Sequence, residues 1–441
     1  DETVWLKRAK HALTYPLAKY LDNEPPSAPD VAFKPTGALR GWFRARINAF
    51  NRKNTHLWYS WLQVKRAALP VSDEIVDGTY TKHFETLSRA DDGDWDTIND
   101  IFSDDTFIAC LEKLRGLVRR HIGRGDGFSF LEGRTTKSAC FEKTRSGGGQ
   151  IWKLRELAGL TGLHAVVDEF SGFVWCPRFY GRETSYNVLL TKVTVTGLDE
   201  WSQLGTHALL FDTAQPLSCT IQAVLEPMKV RVISKGNALP YYLARPMQKV
   251  LHDEMRTWSC FRLIGRPFCP TDMMDLYRRT LPTDEWFSVD YSAATDGLSY
   301  RYSGRILRYL TADLPDWERE CFEQVLGMHK LHYPPPCGGT CPPVFRGMQQ
   351  RGQLMGSILS FPILCLANLG VCLSITREMQ NGWKKSERLR HVLVNGDDML
   401  YAAPKALWDV HVATAKKVGL EMSPGKAYHH STYANVNSTS V

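Results

Sequence analysis

The segment that most constrains this chain is His391-Val392-Leu393-Val394-Asn395-Gly396-Asp397-Asp398-Met399-Leu400-Tyr401. Two short apolar runs flank an Asn-Gly pair, the strongest local signal for a β-hairpin. The turn leads directly into two adjacent carboxylates. Like charges side by side destabilise a fold unless a cation neutralises them, and a structural turn needs one Asp at most. The pattern therefore predicts a hairpin built to hold a metal. An all-oxygen donor set suits Mg²⁺, which keeps several waters and bridges substrate phosphates.

Three further segments carry chemistry. In Trp286-Phe287-Ser288-Val289-Asp290-Tyr291-Ser292-Ala293-Ala294-Thr295-Asp296-Gly297 a β-prone run is followed by Leu298, Tyr302, Ile306 and Leu310 at four-residue steps. That pattern predicts a strand, then an amphipathic helix, with Asp290 at the strand end and Asp296 at the helix entrance. Asp296 equally suits a plain N-cap. In Arg351-Gly352-Gln353-Leu354-Met355-Gly356-Ser357-Ile358-Leu359-Ser360-Phe361-Pro362 a glycine loop opens onto a run that is apolar on nearly every side through Ile375, a buried helix with Pro362 in its first turn. Such a loop can approach a sugar or phosphate closely, or be a simple junction. In Glu226-Pro227-Met228-Lys229-Val230-Arg231-Val232-Ile233-Ser234-Lys235-Gly236 the cations Lys229, Arg231 and Lys235 alternate with apolar residues, a strand with one cationic face suited to polyphosphate. A solvated edge strand guarded by charge has the same pattern.

Composition is that of an ordinary globular chain, 441 residues with 43% hydrophobic and 23% charged. It excludes disordered, collagenous and disulfide-stapled classes, and no apolar run approaches the ~20 residues of a membrane helix. Eleven scattered cysteines, an odd number, suit a reducing compartment. The net charge of +7 is concentrated at the start, where residues 1–70 hold twelve Lys or Arg against five Asp or Glu. From Val31 to Ser72 there is no acid, and Lys34, Arg40, Arg44, Arg46, Arg52, Lys53, Lys65 and Arg66 interleave with Trp42, Phe43, Phe50, Trp58, Tyr59 and Trp61. Cations plus flat rings are what a single-strand nucleic-acid binder uses; an amphipathic helix with a solvated basic face is the alternative. His329, His332, Cys337 and Cys341 have zinc-compatible side chains, although their spacing is shorter than a zinc finger's.

Together and in this order, the four segments resemble the motifs of a viral RNA-dependent RNA polymerase. Asp290 with Asp296 resembles motif A, Gly352 to Asn368 motif B, Asn395-Gly396-Asp397-Asp398 motif C, and Lys229-Val230-Arg231 motif F. Gly419-Leu420-Glu421-Met422-Ser423-Pro424-Gly425-Lys426 resembles motif D, and Phe141-Glu142 to Gly149-Gln150 more loosely resembles motif G. The wording of motif A is similar to that of the ourmia-like (botourmiavirus) polymerases, with narnaviruses and mitoviruses as close relatives. The resemblance implies an α+β right hand. Residues 1–140 would form the basic region and part of the fingers, 141–285 further fingers, and 286–441 a palm of antiparallel sheet and helices with a fingers-like insertion near 311–350. It implies RNA-templated nucleotidyl transfer from ribonucleoside triphosphates, in the host cytoplasm or, alternatively, the mitochondrion.

By the same resemblance two Mg²⁺ ions (Mn²⁺ as a substitute) would be bridged by Asp290 and Asp397, with Asp398 a secondary ligand. Lys426 would be the general acid, and Lys229, Arg231 and Lys235 would hold the triphosphate. Asp296, Gly356, Ser357, Ser360 and Asn368 would lie against the substrate. Many plus-strand polymerases place a ribose-reading Asn four residues after the motif B hydroxyl. Counted from Ser360 that position is Leu364, and Asn368 lies a turn further on, so Asn368 suits a structural role as well, with Ser357 or Ser360 reading the hydroxyl instead, and the partner of Asp296 is open. Reverse transcriptases and DNA polymerases share the palm carboxylates but carry a bulky aromatic near the sugar, where this chain has Thr295 and Asp296. A non-enzymatic RNA-binding protein leaves the Asp397-Asp398 pair without purpose. Only 43 residues follow Asp398, so the resemblance implies a thumb encoded beyond Val441.

Overall fold

The computed structural model describes residues 71–122, 136–160, 166–168, 173–180, 187–194, 216–335, 341–424, 426–437 and 439–440, with parts of a helical stretch between 2 and 13. The basic, aromatic segment from Val31 lies outside the described residues, apart from Val71 and Ser72 at its end. Along the chain, helices α1 (Asp73–Ser88) and α2 (Asp105–His121) precede strands β1 (Val166–Asp168), β2 (Phe173–Tyr180) and β3 (Asn187–Thr194). A hairpin follows, β4 (Ser218–Glu226) and β5 (Lys229–Gly236), then β6 (Asp284–Val289), helix α3 (Tyr300–Thr311), β7 (Lys330–Tyr333) and β8 (Val344–Met348). Helix α4 (Ser360–Ile375), β9 (Val392–Asn395), β10 (Asp398–Pro404), helix α5 (Leu407–Lys417) and β11 (Tyr428–His430) complete the part that carries the motifs.

The central sheet has the order β11-β6-β10-β9, every pair antiparallel. Its middle strand β10 is buried from Met399 to Ala403, which is why its sequence is apolar at both parities. The period of two still sorts the side chains. Met399, Tyr401 and Ala403 enter the main core with Phe287 and Val289, whereas Leu400 and Ala402 enter a second core with Trp286, Leu393 and Leu276. A one-residue slip would exchange the two sets and send Asp398 inward, so register and site are specified together.

Helices cover the main-core face. Helix α4 is buried continuously from Pro362 to Ser374, as its all-round apolar sequence requires. It meets α3 at Gly370, where a Cβ would lie 2.4 Å from the Tyr302 hydroxyl, while that hydroxyl donates to Ala367 O at 2.9 Å. The four-residue steps behave as expected: Leu298, Tyr302, Ile306 and Leu310 are all essentially inaccessible. Helix α2 starts at Asp104, whose carboxylate accepts from Thr106 N and Phe107 N, and ends in Arg119, Arg120 and His121 against the helix dipole. Its stripe of Phe107, Leu111, Leu114 and Val118 is fully buried; each such side chain contributes about 1.5–3 kcal/mol. Arg388 closes this layer, bonding both Asp104 carboxylate oxygens (2.9 and 3.1 Å), Gln380 and Leu373 O.

The second four-stranded sheet has the order β5-β4-β7-β8, mixed because β4 and β7 run parallel. Residues 330–333 and 344–348 therefore leave the palm-like part of the chain to extend the sheet begun by β4 and β5. His329 is fully buried, its ring bonded to the Tyr241 hydroxyl (3.2 Å) and the Gln349 side-chain carbonyl (3.1 Å), and His332 faces the backbone carbonyls of Cys219 and Lys330. The two histidines of the zinc-compatible set are thus engaged with other groups. His329 and His332 are used separately, Cys337 lies outside the described residues, and among the described residues no group of three or more metal-ligating side chains is gathered elsewhere. No helix among the described residues is long and apolar enough to cross a membrane.

Candidate active site

The site forms where β6 and β10 end side by side. Val289 pairs with Met399, so the register carried one step further sets Asp290 opposite Asp398. On the other side of β10, Asp398 pairs with Asn395. The two loop residues of the hairpin are therefore Gly396 and Asp397, not Asn395 and Gly396 as the sequence signal suggested. Gly396 has φ +69° while Asp397 keeps the ordinary sign, the pattern of a turn that requires glycine first. This one-residue shift puts Asp397 in the turn and Asp398 at the start of the strand.

Beyond Asp290 the chain is tied to the segment after α5. Tyr291 bridges Met422, Ser292 N donates to Glu421 O (2.8 Å), and Ser423 N donates to Asp290 O (2.8 Å). Ala293 then takes φ 48°, ψ 48°, a left-handed conformation costing a residue with a Cβ about 1–2 kcal/mol, and leads into a short helix, Ala294–Gly297, that carries Asp296. Lys426 reaches back so that its ammonium lies 3.2 and 3.3 Å from the Asp290 carboxylate oxygens.

The electrostatics are those of a cation site. Burial, and then the Asp290 charge, raise the Asp397 carboxyl, and burial with the Asp397 and Asp290 charges pushes Asp398 up to about 7. Cations approach from the other side. Lys229 is lowered by burial and by the nearby charges of Lys426 and Arg231. Lys10, on the N-terminal helical stretch, is lowered by burial and by Lys229 and Lys426. That stretch packs Leu6, Ala9 and Leu13 on Met228 and Val230 at the tip of the β4–β5 hairpin, a placement no local sequence signal announced. Lys229, Arg231 and Lys235 share one face of β5, and Arg231 is paired with Glu226 at 2.9 Å. The motif-G-like segment is tied to the far end of the same strand: Phe141 N donates to Gly236 O, and Glu142 accepts from Asn237 and from Ala238 N.

The glycine loop packs on β5. Ser234 N donates to Met355 O at 3.0 Å, and at Gly356 (φ +153°) a Cβ would fall 2.1 Å from Ser234 O, so only glycine fits there. Two residues of this segment depart from the expected substrate contacts. Ser357 is turned inward, donating to Val325 O at 2.6 Å. Asn368 is wholly buried, its amide nitrogen donating to Gly396 O (3.1 Å) and facing Asp397 O (3.4 Å) while its oxygen accepts from Tyr291 OH (3.1 Å). With donor and acceptor both used, Asn368 braces the carboxylate turn from beneath. Ser360, also buried, donates to Gln353 Oε1, and Gln353 N donates to Thr295 O next to Asp296.

Sequence reasoning missed the polar column under the site. His411 joins Tyr401 OH (2.7 Å) to Tyr291 OH (2.8 Å), and Tyr291 continues to Asn368. Burial lowers His411 to about 3, so the ring is neutral and bonds through both nitrogens. Arg351 was also unforeseen. It is 2% exposed and runs from Asp92 (2.8 Å) to Gly297 O (2.7 Å) behind Asp296.

The chain is 30% identical, over 423 residues and 91% of its length, to the RNA-dependent RNA polymerase of Ourmia melon virus (isolate Melon/Iran/VE9), and spans 46% of that relative's length. No family model matches the chain. Its fold is similar to the crystal structure of the insertion loop deletion mutant of the RNA-dependent RNA polymerase of a human picorbirnavirus. The TM-score is 0.52 at 10% identity, with 96% of this chain and 76% of that chain covered. In sequence the chain is thus similar to an ourmia-like viral RNA-dependent RNA polymerase, and its fold is that of a viral RNA-dependent RNA polymerase.

Proposed function

We propose that this chain carries the nucleotidyl-transfer centre of an RNA-directed RNA polymerase that copies viral RNA from ribonucleoside triphosphates. The observation that carries the reading is the convergence of Asp290, Asp397 and Asp398 on adjacent strand ends, with an ammonium, Lys426, against Asp290 where a cation is needed. Carboxylate oxygens are the donor type that divalent ions take, and burial with neighbouring carboxylates raises Asp397 and Asp398, although the three side chains are not drawn together into a ligating group in this structure. Asp290 and Asp397 would hold both ions, with Asp398 in support; Mg²⁺ is the expected metal and Mn²⁺ a substitute. When bound, the metals would supply charge stabilisation to the attacking and leaving oxygens.

The chain's own part is positioning. Lys229, Arg231 and Lys235 would line up the triphosphate along one face of β5, Arg231 exchanging Glu226 for phosphate. Lys426 would leave Asp290 and donate its proton to the departing pyrophosphate. Asp296, beside Thr295, would accept from the ribose 2′-hydroxyl, while Gly356 would hold this loop against Ser234 of β5. The RNA template and product would pass between the palm sheet and the fingers built from β4, β5, β7 and β8, in host cytoplasm. The test is extension of an RNA primer on an RNA template with all four ribonucleotides. Extension that requires Mg²⁺ or Mn²⁺ is expected, and its absence under both metals refutes the reading.

A further inference from the structure

Helix α1 buries one face, Tyr80, His83 and Leu87, at helical spacing. This face lies against the back of the loop that carries Asp296. Leu87 O accepts from Gln350 N at 2.8 Å, and a Cβ on Gly352 would come within 2.8 Å of Leu87 and 2.4 Å of Asp296 O. Between these contacts the His83 ring spans two groups. Its Nδ1 is 2.7 Å from the Tyr333 hydroxyl and its Nε2 is 3.8 Å from Asp296 Oδ1. Tyr333 is itself fixed, 1% exposed and met edge-on by Tyr80, His83 and Phe84 at 5.8–5.9 Å.

Burial lowers His83 to about 4 and raises Asp296 to about 6. The ring is therefore neutral near pH 7 and carries a single proton. With Tyr333 OH donating to Nδ1, that proton sits on Nε2 and faces Asp296. Thr295 Oγ1 donates to the same Oδ1 at 3.2 Å, so both local donors address one carboxylate oxygen and leave the other unclaimed by them.

We propose that His83 is a positioning residue for sugar selection: its Nε2–H holds Asp296 Oδ1 so that Oδ2 is presented to the ribose 2′-hydroxyl. The proposal rests on Asp296 being the sugar-reading group, as proposed above. At 3.8 Å the Nε2–Oδ1 pair is not yet a hydrogen bond, so the proposal requires the contact to shorten when nucleotide binds.

The test compares two substitutions that divide the functions of the ring. His83→Gln keeps an N–H at the reach of Nε2, whereas His83→Asn keeps a polar atom at the reach of Nδ1 and has nothing at Nε2. Two readouts are the ribo-to-deoxyribonucleotide ratio of kcat/KM, and the difference in thermal stabilisation by Mg²⁺-GTP and Mg²⁺-dGTP. His83→Asn should lose about tenfold or more of the discrimination while His83→Gln retains most of it, as expected when a charge-assisted orienting bond is removed or kept. Tyr333→Phe, which frees the tautomer without opening a cavity, should fall between them and carries the test if His83→Asn does not fold. If Asp296→Ala loses discrimination and neither His83→Asn nor Tyr333→Phe does, His83 has no part in selection and the proposal is overturned. If Asp296→Ala also leaves discrimination intact, the reading of Asp296 fails with it.

Discussion

Replacing Asn368 by Ala separates a brace from a ligand contact. The side chain makes a hydrogen bond to Gly396 O, a longer one to Asp397 O, and accepts one from Tyr291 OH, all out of solvent. Tyr291 keeps His411 as a partner at 2.8 Å, so its loss is partial. Leaving a buried carbonyl unpaired costs roughly 1–3 kcal/mol and a lost bond about 1 kcal/mol. The whole change should therefore destabilise the protein by about 2–4 kcal/mol. Because the turn it braces carries Asp397, incorporation should slow for ribo- and deoxyribonucleotides alike, with their ratio preserved. Urea denaturation followed by tryptophan fluorescence gives the first quantity, and single-nucleotide incorporation with each sugar gives the second. An Asn368→Ala protein of unchanged stability that accepts deoxyribonucleotides more readily would give Asn368 a sugar-reading role and refute the bracing argument.

Asp104→Ala removes both a helix cap and the partner of buried Arg388, and should cost about 3–5 kcal/mol in the same denaturation assay because a buried guanidinium is left uncompensated; a loss below about 1 kcal/mol would mean water replaces the carboxylate. Asp398 takes up its proton near 7 when folded against an ordinary 3.8, so between those values the folded state binds more protons and loses stability as pH rises. In chelator-treated protein Asp398→Asn should therefore gain on the wild type from about pH 4 to 7 and then level off, and Mg²⁺ should abolish the trend; a pH-independent difference contradicts the burial argument. Lys426→Leu should lower the single-turnover rate about 10²-fold or more with little change in nucleotide affinity if the ammonium is the general acid, whereas an unchanged rate would leave it only the pairing with Asp290.

The motifs that build the candidate site were legible because they are local. An Asp after an apolar strand, a Gly-Asp-Asp between two apolar runs and alternating cations on a strand all lie within a dozen residues, and periodicity placed the strands and helix α3 correctly. The hairpin register was misread by one residue because Asn-Gly suits the turn as well as Gly-Asp does, and only the pairing of Asp398 with Asn395 decides between them. The supporting groups were invisible for a different reason. His411 meets Tyr291 across 120 residues and His83 meets Tyr333 across 250, so neither has a partner at helical or strand spacing. A histidine on an otherwise apolar helix face looks like an ordinary core residue until the fold brings two hydroxyls, or a hydroxyl and a carboxylate, to its ring nitrogens. The place of Asn368 was open in the sequence because family spacing falls on Leu364 and says nothing of which way a side chain of α4 points. The short spacing that counts against zinc fits the separate neighbours that His329 and His332 take in the fold.

The most direct test of the central claim is single-nucleotide incorporation on an RNA primer–template by the wild type and by Asp397→Asn, each first shown by circular dichroism and thermal melting to be folded. The wild type should incorporate only with Mg²⁺ or Mn²⁺, and Asp397→Asn should show no incorporation above background with either metal, since losing one carboxylate removes the charge that holds both ions in line with the phosphate. A folded Asp397→Asn protein that extends the primer at near wild-type rate would contradict the assignment of Asp290, Asp397 and Asp398 as the catalytic centre.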